Sequence, residues 1–376
     1  MIIDDVPRGY TVNNKLFFNR HLAHIEQMTN GGLLEFNMFD DAFSKYNWKI
    51  DPTLSFEELI DIRAHQIRET NDVVVLWFSG GTDSLTMYNA FIRNNLHIDE
   101  IIVRYWPIAG HFGIDKSIID WLYEHHPDKK TTITTIDQTD KTVLSSNLYT
   151  DEWTLLNMGF AKHLNAAVVW GTDALSKKYE NRKWVQVHGF EKPHLVYRNE
   201  KFSAWHLDLP YQSTLGHENM EYFFISPELP ELHIKQCHLL KNHLVDNLSH
   251  TLHEDFRSEK LFETTDQSSY MNLSVHGCGR HGEIHHKICV SEKSLIRSKK
   301  VIFSKTENYN DLKFTGYQSI LHASANNIDN MKHWYNGRLE LIKSPVMKYM
   351  LDRNLVTNKD DPFSFVGMYS KQYDLE

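Results

Sequence analysis

From residue 73 to residue 78 the chain is continuously apolar. A half-exposed strand alternates, so an unbroken run of this length predicts a strand covered on both faces. Just upstream, Phe56, Leu59, Ile60, Ala64 and Ile67 recur at helical spacing within residues 55–70, and Ser55 with Glu58 forms a capping-box pair at its start. Downstream the two periods take turns. Leu85, Met87, Tyr88, Phe91 and Ile92 predict a helix ending near Asn94-Asn95. Residues 101–103 predict a strand, and Ile118, Ile119, Trp121 and Leu122 a helix. The β-branched stretch 132–136 predicts a third strand, residues 153–164 a third helix and residues 166–170 a fourth strand. This alternation implies an α/β fold: a doubly wound parallel sheet with right-handed crossovers.

Outside that block the pattern weakens. Residues 1–50 are mixed, with a turn signal at Gly31-Gly32, and read as an N-terminal cap or arm. Residues 184–225 hold short runs without a clear period. Pro227 and Pro230 precede a helix predicted to run through Leu248; residues 255–327 are irregular and polar; a last helical stretch covers about 328–351, interrupted at Pro345. The expected division is therefore an arm over 1–50, an α/β domain over 51–183, and a mixed α+β C-terminal extension over 184–376 that serves as a substrate-binding or accessory region.

The strongest chemical signal lies between the first strand and its helix, in Ser79-Gly80-Gly81-Thr82-Asp83-Ser84. Paired glycines let the backbone turn sharply and approach a ligand with no Cβ in the way. The N–H groups so freed, with the helix N-terminus behind them, make an anion site, to which Ser79 and Ser84 add hydroxyls. Asp83 would repel a bare phosphate; it fits a site in which Mg²⁺ lies between carboxylate and phosphate. A second turn, Gly171-Thr172-Asp173-Ala174, follows the predicted fourth strand, with Lys177 and Lys178 a turn further on. In a doubly wound sheet, ligands sit beyond the carboxyl ends of the strands, which also places Arg104, Tyr105 and Asp137 there.

The first loop resembles the PP-loop of the N-type ATP pyrophosphatases, a superfamily that includes asparagine synthetase, NAD and GMP synthetases, tRNA-lysidine synthetase and the 7-cyano-7-deazaguanine synthases. It lacks the spacing of a Walker loop. The second turn looks like the acidic glycine-rich turn of asparagine and NAD synthetases, and the helix over 55–70 favours the asparagine-synthetase-like arrangement. The similarity spans about residues 55–180. It implies the adenine nucleotide alpha hydrolase-like fold. It also implies cleavage of ATP between its α- and β-phosphates, adenylation of an acceptor oxygen, and displacement of AMP by a nitrogen or, less readily, a sulfur nucleophile. On this resemblance Ser79, Gly80, Gly81, Thr82, Asp83, Ser84, Arg104, Gly171 and Thr172 bind ATP. Asp83 and Asp173 hold Mg²⁺, and Lys177 or Lys178 neutralises developing charge.

Departures from the family patterns narrow the expectation. Position 2 is Ile2 where glutamine-using relatives of asparagine synthetase carry a catalytic cysteine, so ammonia, an amine or an amidotransferase partner is the expected nitrogen source. The chain has 3 cysteines and no Cys-x-x-Cys pair, which disfavours the thiolating members. It has 23 histidines, and Cys278, His281, His285 and Cys289 form one group with ligand spacing for Zn²⁺, alongside the readings as an ordinary loop and as histidines that bind substrate. Two other functions stay open: modification of a nucleobase in nucleotide, tRNA or DNA, motivated by that group and by Lys293, Arg297, Lys299 and Lys300, or nucleotide sensing without turnover. The net charge of −9 argues against a dominant nucleic-acid-binding surface. Sparse cysteines, no membrane-length apolar run and an acidic N-terminus lead to an expected cytoplasmic location, with oligomerisation open.

Overall fold

A computed structural model of the chain describes residues 8–17, 20–80, 82–105, 112–137, 174–189, 194–198, 201–206, 208, 219–246, 368 and 370–376. Its elements are β1 (Arg8–Val12), β2 (Lys15–Phe17), α1 (Arg20–Asn30), β3 (Leu34–Met38), α2 (Asp40–Phe43), α3 (Phe56–Thr70), β4 (Val73–Trp77), α4 (Thr82–Arg93), β5 (Glu100–Tyr105), α5 (Phe112–His125), β6 (Thr132–Asp137), β7 (Trp184–His188), β8 (His194–Arg198), β9 (Lys201–Trp205), β10 (Met220–Tyr222), α6 (Pro230–Asp246) and β11 (Tyr373–Asp374). Residues 174–178 are also helical.

Among the described residues the centre is a five-stranded, all-parallel sheet in the order β10-β7-β4-β5-β6. The chain starts in the middle at β4, adds β5 and β6 on one side, then crosses back and adds β7 and β10 on the other. This is a doubly wound α/β topology, and the reversal falls between β4 and its two neighbours. Every residue of β4 is buried. Alternate side chains serve opposite faces. Val74, Leu76 and Phe78 pack with residues of α3, α4 and α5; Val73, Val75 and Trp77 pack with Leu175 and Tyr179. α3 carries the expected capping box, since the Ser55 hydroxyl accepts from the Glu58 N–H and Glu58 accepts from the Ser55 N–H. α4 stops as expected: Asn95 adopts a left-handed φ of 53° just beyond it. α6 begins at Pro230, whose ring suits a first helical position.

The sheet also takes strands from beyond the division expected at residue 183. Among the described residues the fourth parallel strand is β7, and residues 166–170 lie outside them. Two polar residues, Gln186 and His188, hide β7 within an otherwise apolar stretch, yet all five positions are buried. β10 has three residues and no room for a period.

A second core lies beside the first. Residues 8–38 make an antiparallel sheet, β2-β1-β3. Tyr10, Val12, Phe36, Met38, Phe43 and Trp48 pack there with residues of β8, β9, α6 and the segment 373–375. α6 is shared, with Leu232 in the first core and Ile234, Cys237 and Leu240 in the second. Arg63 of α3 ties the layers further. It is 1% exposed and gives its guanidinium to Glu221 on β10 and to Glu228 at 3.0 Å. Among the described residues no helix is long and apolar enough to cross a membrane.

Candidate functional site

The phosphate-type loop sits where the topology puts ligands, at the exit of β4. The β4–β5 ladder carries on one residue past β4, with the Phe78 N–H donating to the Ile102 carbonyl at 2.8 Å. The chain then turns. Gly80 has φ of +62°, a left-handed conformation that glycine takes freely. The turn is closed by serines: the Ser79 N–H donates to Ser84 Oγ at 3.2 Å, and the two hydroxyls lie 3.1 Å apart. α4 starts at once, with Asp83 in its first turn. Its N-terminus thus points its positive dipole end at the exit edge of the sheet. Gly81 lies outside the described residues, and Thr82 is described by its backbone alone.

The neighbouring strand comes very close to this turn. A Cβ built on Gly189, directly after β7, would lie 3.0 Å from Asp83 C and Ser84 N and 3.1 Å from Asp83 O. These are backbone atoms that cannot rotate away. Gly189→Ala is therefore expected to push loop and strand apart and to cost about 1–3 kcal/mol, as overpacking does. Urea unfolding of wild type and variant measures it; an unchanged midpoint would show that the contact can relax.

Three strands deliver polar or aromatic side chains to one face at this edge. Trp77 of β4 stands in register with His188 of β7 on one side and Ile102 of β5 on the other. The Trp77 and His188 rings stack, with centroids 5.2 Å apart and planes 18° apart. The Trp77 indole N–H donates to Gln186 Oε1 at 2.9 Å. Arg104, half-buried near the end of β5, is two residues after Ile102 and so lies on the same face. Burial, and secondarily the Arg104 charge, pushes the His188 imidazole down to about 3. That ring is neutral at physiological pH.

The low value has a consequence for stability. Unfolded His188 binds a proton below its ordinary value of about 6.5, whereas the folded ring does not until about 3. The unfolded state binds more protons in that window, so stability is full above it and falls as pH drops through it. The His188 contribution to the slope is about 1.4 kcal/mol per pH unit. His188→Leu should flatten the pH dependence of unfolding free energy by about that amount between about pH 6 and pH 4. Urea titrations at several pH values would read it.

The other residues singled out in the sequence divide into two groups. Lys178 donates to Glu100 Oε2 at 2.9 Å. Tyr179 donates to the same oxygen at 2.8 Å, and Thr134 donates to Glu100 Oε1. Glu100 opens β5 and pairs in register with Val75, about 13 Å short of Ser79 at strand spacing. Lys178 thus anchors a helical stretch to the entry half of the sheet, away from the loop. Lys177 is exposed. Tyr105 and Asp137 close β5 and β6 at the exit edge, as expected, and are described by their backbones. Gly171, Thr172, Asp173, Cys278, His281, His285, Cys289 and the basic stretch 293–300 lie outside the described residues. Within the described residues no group of three or more His, Cys, Asp or Glu side chains is placed to hold a metal.

The arrangement suits an anion. A glycine turn, a helix N-terminus and Arg104 supply positive potential, and Asp83 in the first turn of the helix adds a carboxylate that a divalent cation could bridge to a phosphate. Sequence reading missed His188 and Gly189. Their signal was an imidazole ending a stretch otherwise built as a buried strand, followed at once by glycine. No protein-family model matches the chain, and no curated protein matches it at a significant level.

Proposed function

We propose that this protein is an ATP-dependent, AMP-forming enzyme of the PP-loop type. The observation that carries the reading is the Ser79–Ser84 turn at the exit of the first, central strand of a doubly wound parallel sheet. There the backbone, the α4 N-terminus and two serine hydroxyls converge. The likeness of that turn to the loop of the ATP pyrophosphatases supports the same reading.

In this reading the phosphates of ATP lie against Ser79, Gly80, Gly81 and the α4 N-terminus. Mg²⁺, held by Asp83 and in the family pattern by Asp173, would shield the phosphate charge. An acceptor oxygen attacks the α-phosphorus, the bond to the bridging oxygen breaks, and pyrophosphate leaves with that electron pair. A nitrogen nucleophile then displaces AMP from the adenylated acceptor. Charge building on the leaving pyrophosphate needs a cation at the exit edge. In this reading Arg104, near the end of β5, supplies it, whereas Lys178 donates to Glu100. The binding and positioning of the acceptor fall to residues beyond 183.

The test is product analysis. Purified protein is incubated with Mg²⁺, α-labelled ATP, pooled metabolites and amine donors. AMP and pyrophosphate in equal amounts are expected. ADP and phosphate would overturn the reading. Bound ATP with no AMP under any donor would favour nucleotide sensing without turnover.

A further inference from the structure

The turn after β4 is soft by composition. Two successive glycines give it the conformation it needs and leave it more backbone freedom than other residues would. The Ser79 N–H bond to Ser84 Oγ ties its two ends together, which leaves its middle to be supported from outside. α5 gives that support. A Cβ built on Gly80 would lie 2.7 Å from Ile118 Cδ1, 2.8 Å from Cγ1 and 3.5 Å from Cγ2. The isoleucine arm therefore occupies the space that a side chain at position 80 would fill. The contact is one of a series. Leu122 of α5 is fully buried in the first core. Trp121 stacks on Phe78, with centroids 6.3 Å apart and planes 16° apart. Ile118, one turn nearer the helix start, meets Gly80. It is half-buried and packs at the rim of that core. From the β7 side, Gly189 stands against the backbone of Asp83 and Ser84, so the turn is held between a helix and a strand end.

We propose that Ile118 is a positioning residue of the nucleotide site: its side chain, seated on Gly80, holds the glycine turn in the shape that receives the phosphates of ATP. This rests on the ATP-binding reading above and adds to it a residue that the loop motif does not contain. A β-branched side chain suits the task. On a helix isoleucine has one strongly preferred χ1, so its arm is a stiff stop rather than a mobile filler. A turn ordered before the ligand arrives does not have to be ordered by binding, and affinity is higher by that difference. The seat also sets the approach. With α5 against Gly80, and Gly189 against Asp83 and Ser84, the phosphates come to the turn from beyond the exit edge of the sheet.

The test compares neighbouring isoleucines. Ile118→Ala removes the arm. Ile119→Ala removes the same atoms at the next position of the same helix, where the side chain also packs at the rim of the core. Binding is measured by calorimetry with Mg²⁺ and ATP as the probe, and amide hydrogen exchange of residues 79–84 is followed in the ligand-free proteins. Both alanine variants are expected to melt below wild type. Ile118→Ala alone is expected to weaken ATP binding about tenfold and to speed exchange in 79–84. Ile119→Ala should bind within about twofold of wild type, as should Ile118→Leu, which keeps the volume of the arm. If Ile118→Ala does not fold, Ile118→Val, which lacks only Cδ1, takes its place with an expected loss of about fourfold. Wild-type affinity in the variant used, an equal loss in Ile119→Ala, unchanged exchange, or no recovery with leucine would overturn the proposal and leave the ATP reading standing. Failure of the wild type itself to bind ATP would overturn both, and it shows before any variant is made.

Discussion

Asp83→Asn should lower AMP formation by about a thousandfold, with ATP still bound within about tenfold of wild type. Asp83 stands in the first turn of α4, directly behind the glycine turn. Asparagine keeps its size and its capacity to accept a hydrogen bond, so the helix start should survive. What goes is the negative charge that lets a divalent cation sit between protein and phosphate. Such a cation matters most when pyrophosphate is leaving, because charge is then greatest; the loss should therefore appear in turnover far more than in affinity. A steady-state assay of labelled AMP against Mg²⁺ concentration, with binding measured in parallel, separates the two. Equal losses in turnover and affinity would mean that Asp83 shapes the loop rather than holding metal. Unchanged turnover would remove Asp83 from the site.

Ending the chain before Met368 should cost as much stability as the protein has. The segment 368–376 is woven into the second core by backbone and side chains alike. β11 pairs with β9, and the Leu375 N–H donates to the Phe202 carbonyl at 3.0 Å. The Met368 N–H donates to Asp208 Oδ1 at 3.0 Å, and Lys241 of α6 donates to the Leu375 carbonyl at 3.0 Å. Tyr373 stacks flat on Trp48, 4.2 Å between centroids and 10° between planes, and donates its hydroxyl to Asp40. Tyr373 and Leu375 are 5% and 1% exposed. Truncating a buried aromatic to alanine costs about 3–5 kcal/mol and a buried leucine about 2–5, against a total stability of about 5–15 kcal/mol. The shortened protein is expected to lose near-ultraviolet circular dichroism from the Trp48 region and to unfold without a cooperative transition. Tyr373→Ala alone should lower the unfolding free energy by about 3–5 kcal/mol. A shortened chain that melts like wild type would show that the second core holds without its last strand.

What was legible in the sequence was local. α3 and its capping box, β4, α4 and β6 follow from contiguous residues whose spacing or branching speaks for one structure. The loop after β4 was legible because glycine, serine and aspartate cluster between a strand and a helix. The strand β7 was not legible, because Gln186 and His188 answer to Trp77 on β4 and have no meaning within β7 itself. The N-terminal sheet was not legible because Tyr10 and Phe36 are completed by Tyr222 and Tyr373, far along the chain. Lys178 looked like a site residue one turn past an acidic loop, and its partner Glu100 is apparent only when the strands are set side by side.

The weaving of segment 368–376 has a further consequence for how the protein is made. Trp48, Asp40 and the edge of β9 leave the ribosome long before the residues that cover them. At roughly 5–20 residues per second, the nascent chain carries an uncovered aromatic face for many seconds while the residues between α6 and Met368 are translated. Among the described residues, β10 and α6 are the last elements in the layers of the central parallel sheet. The second core closes only after synthesis has passed Leu375.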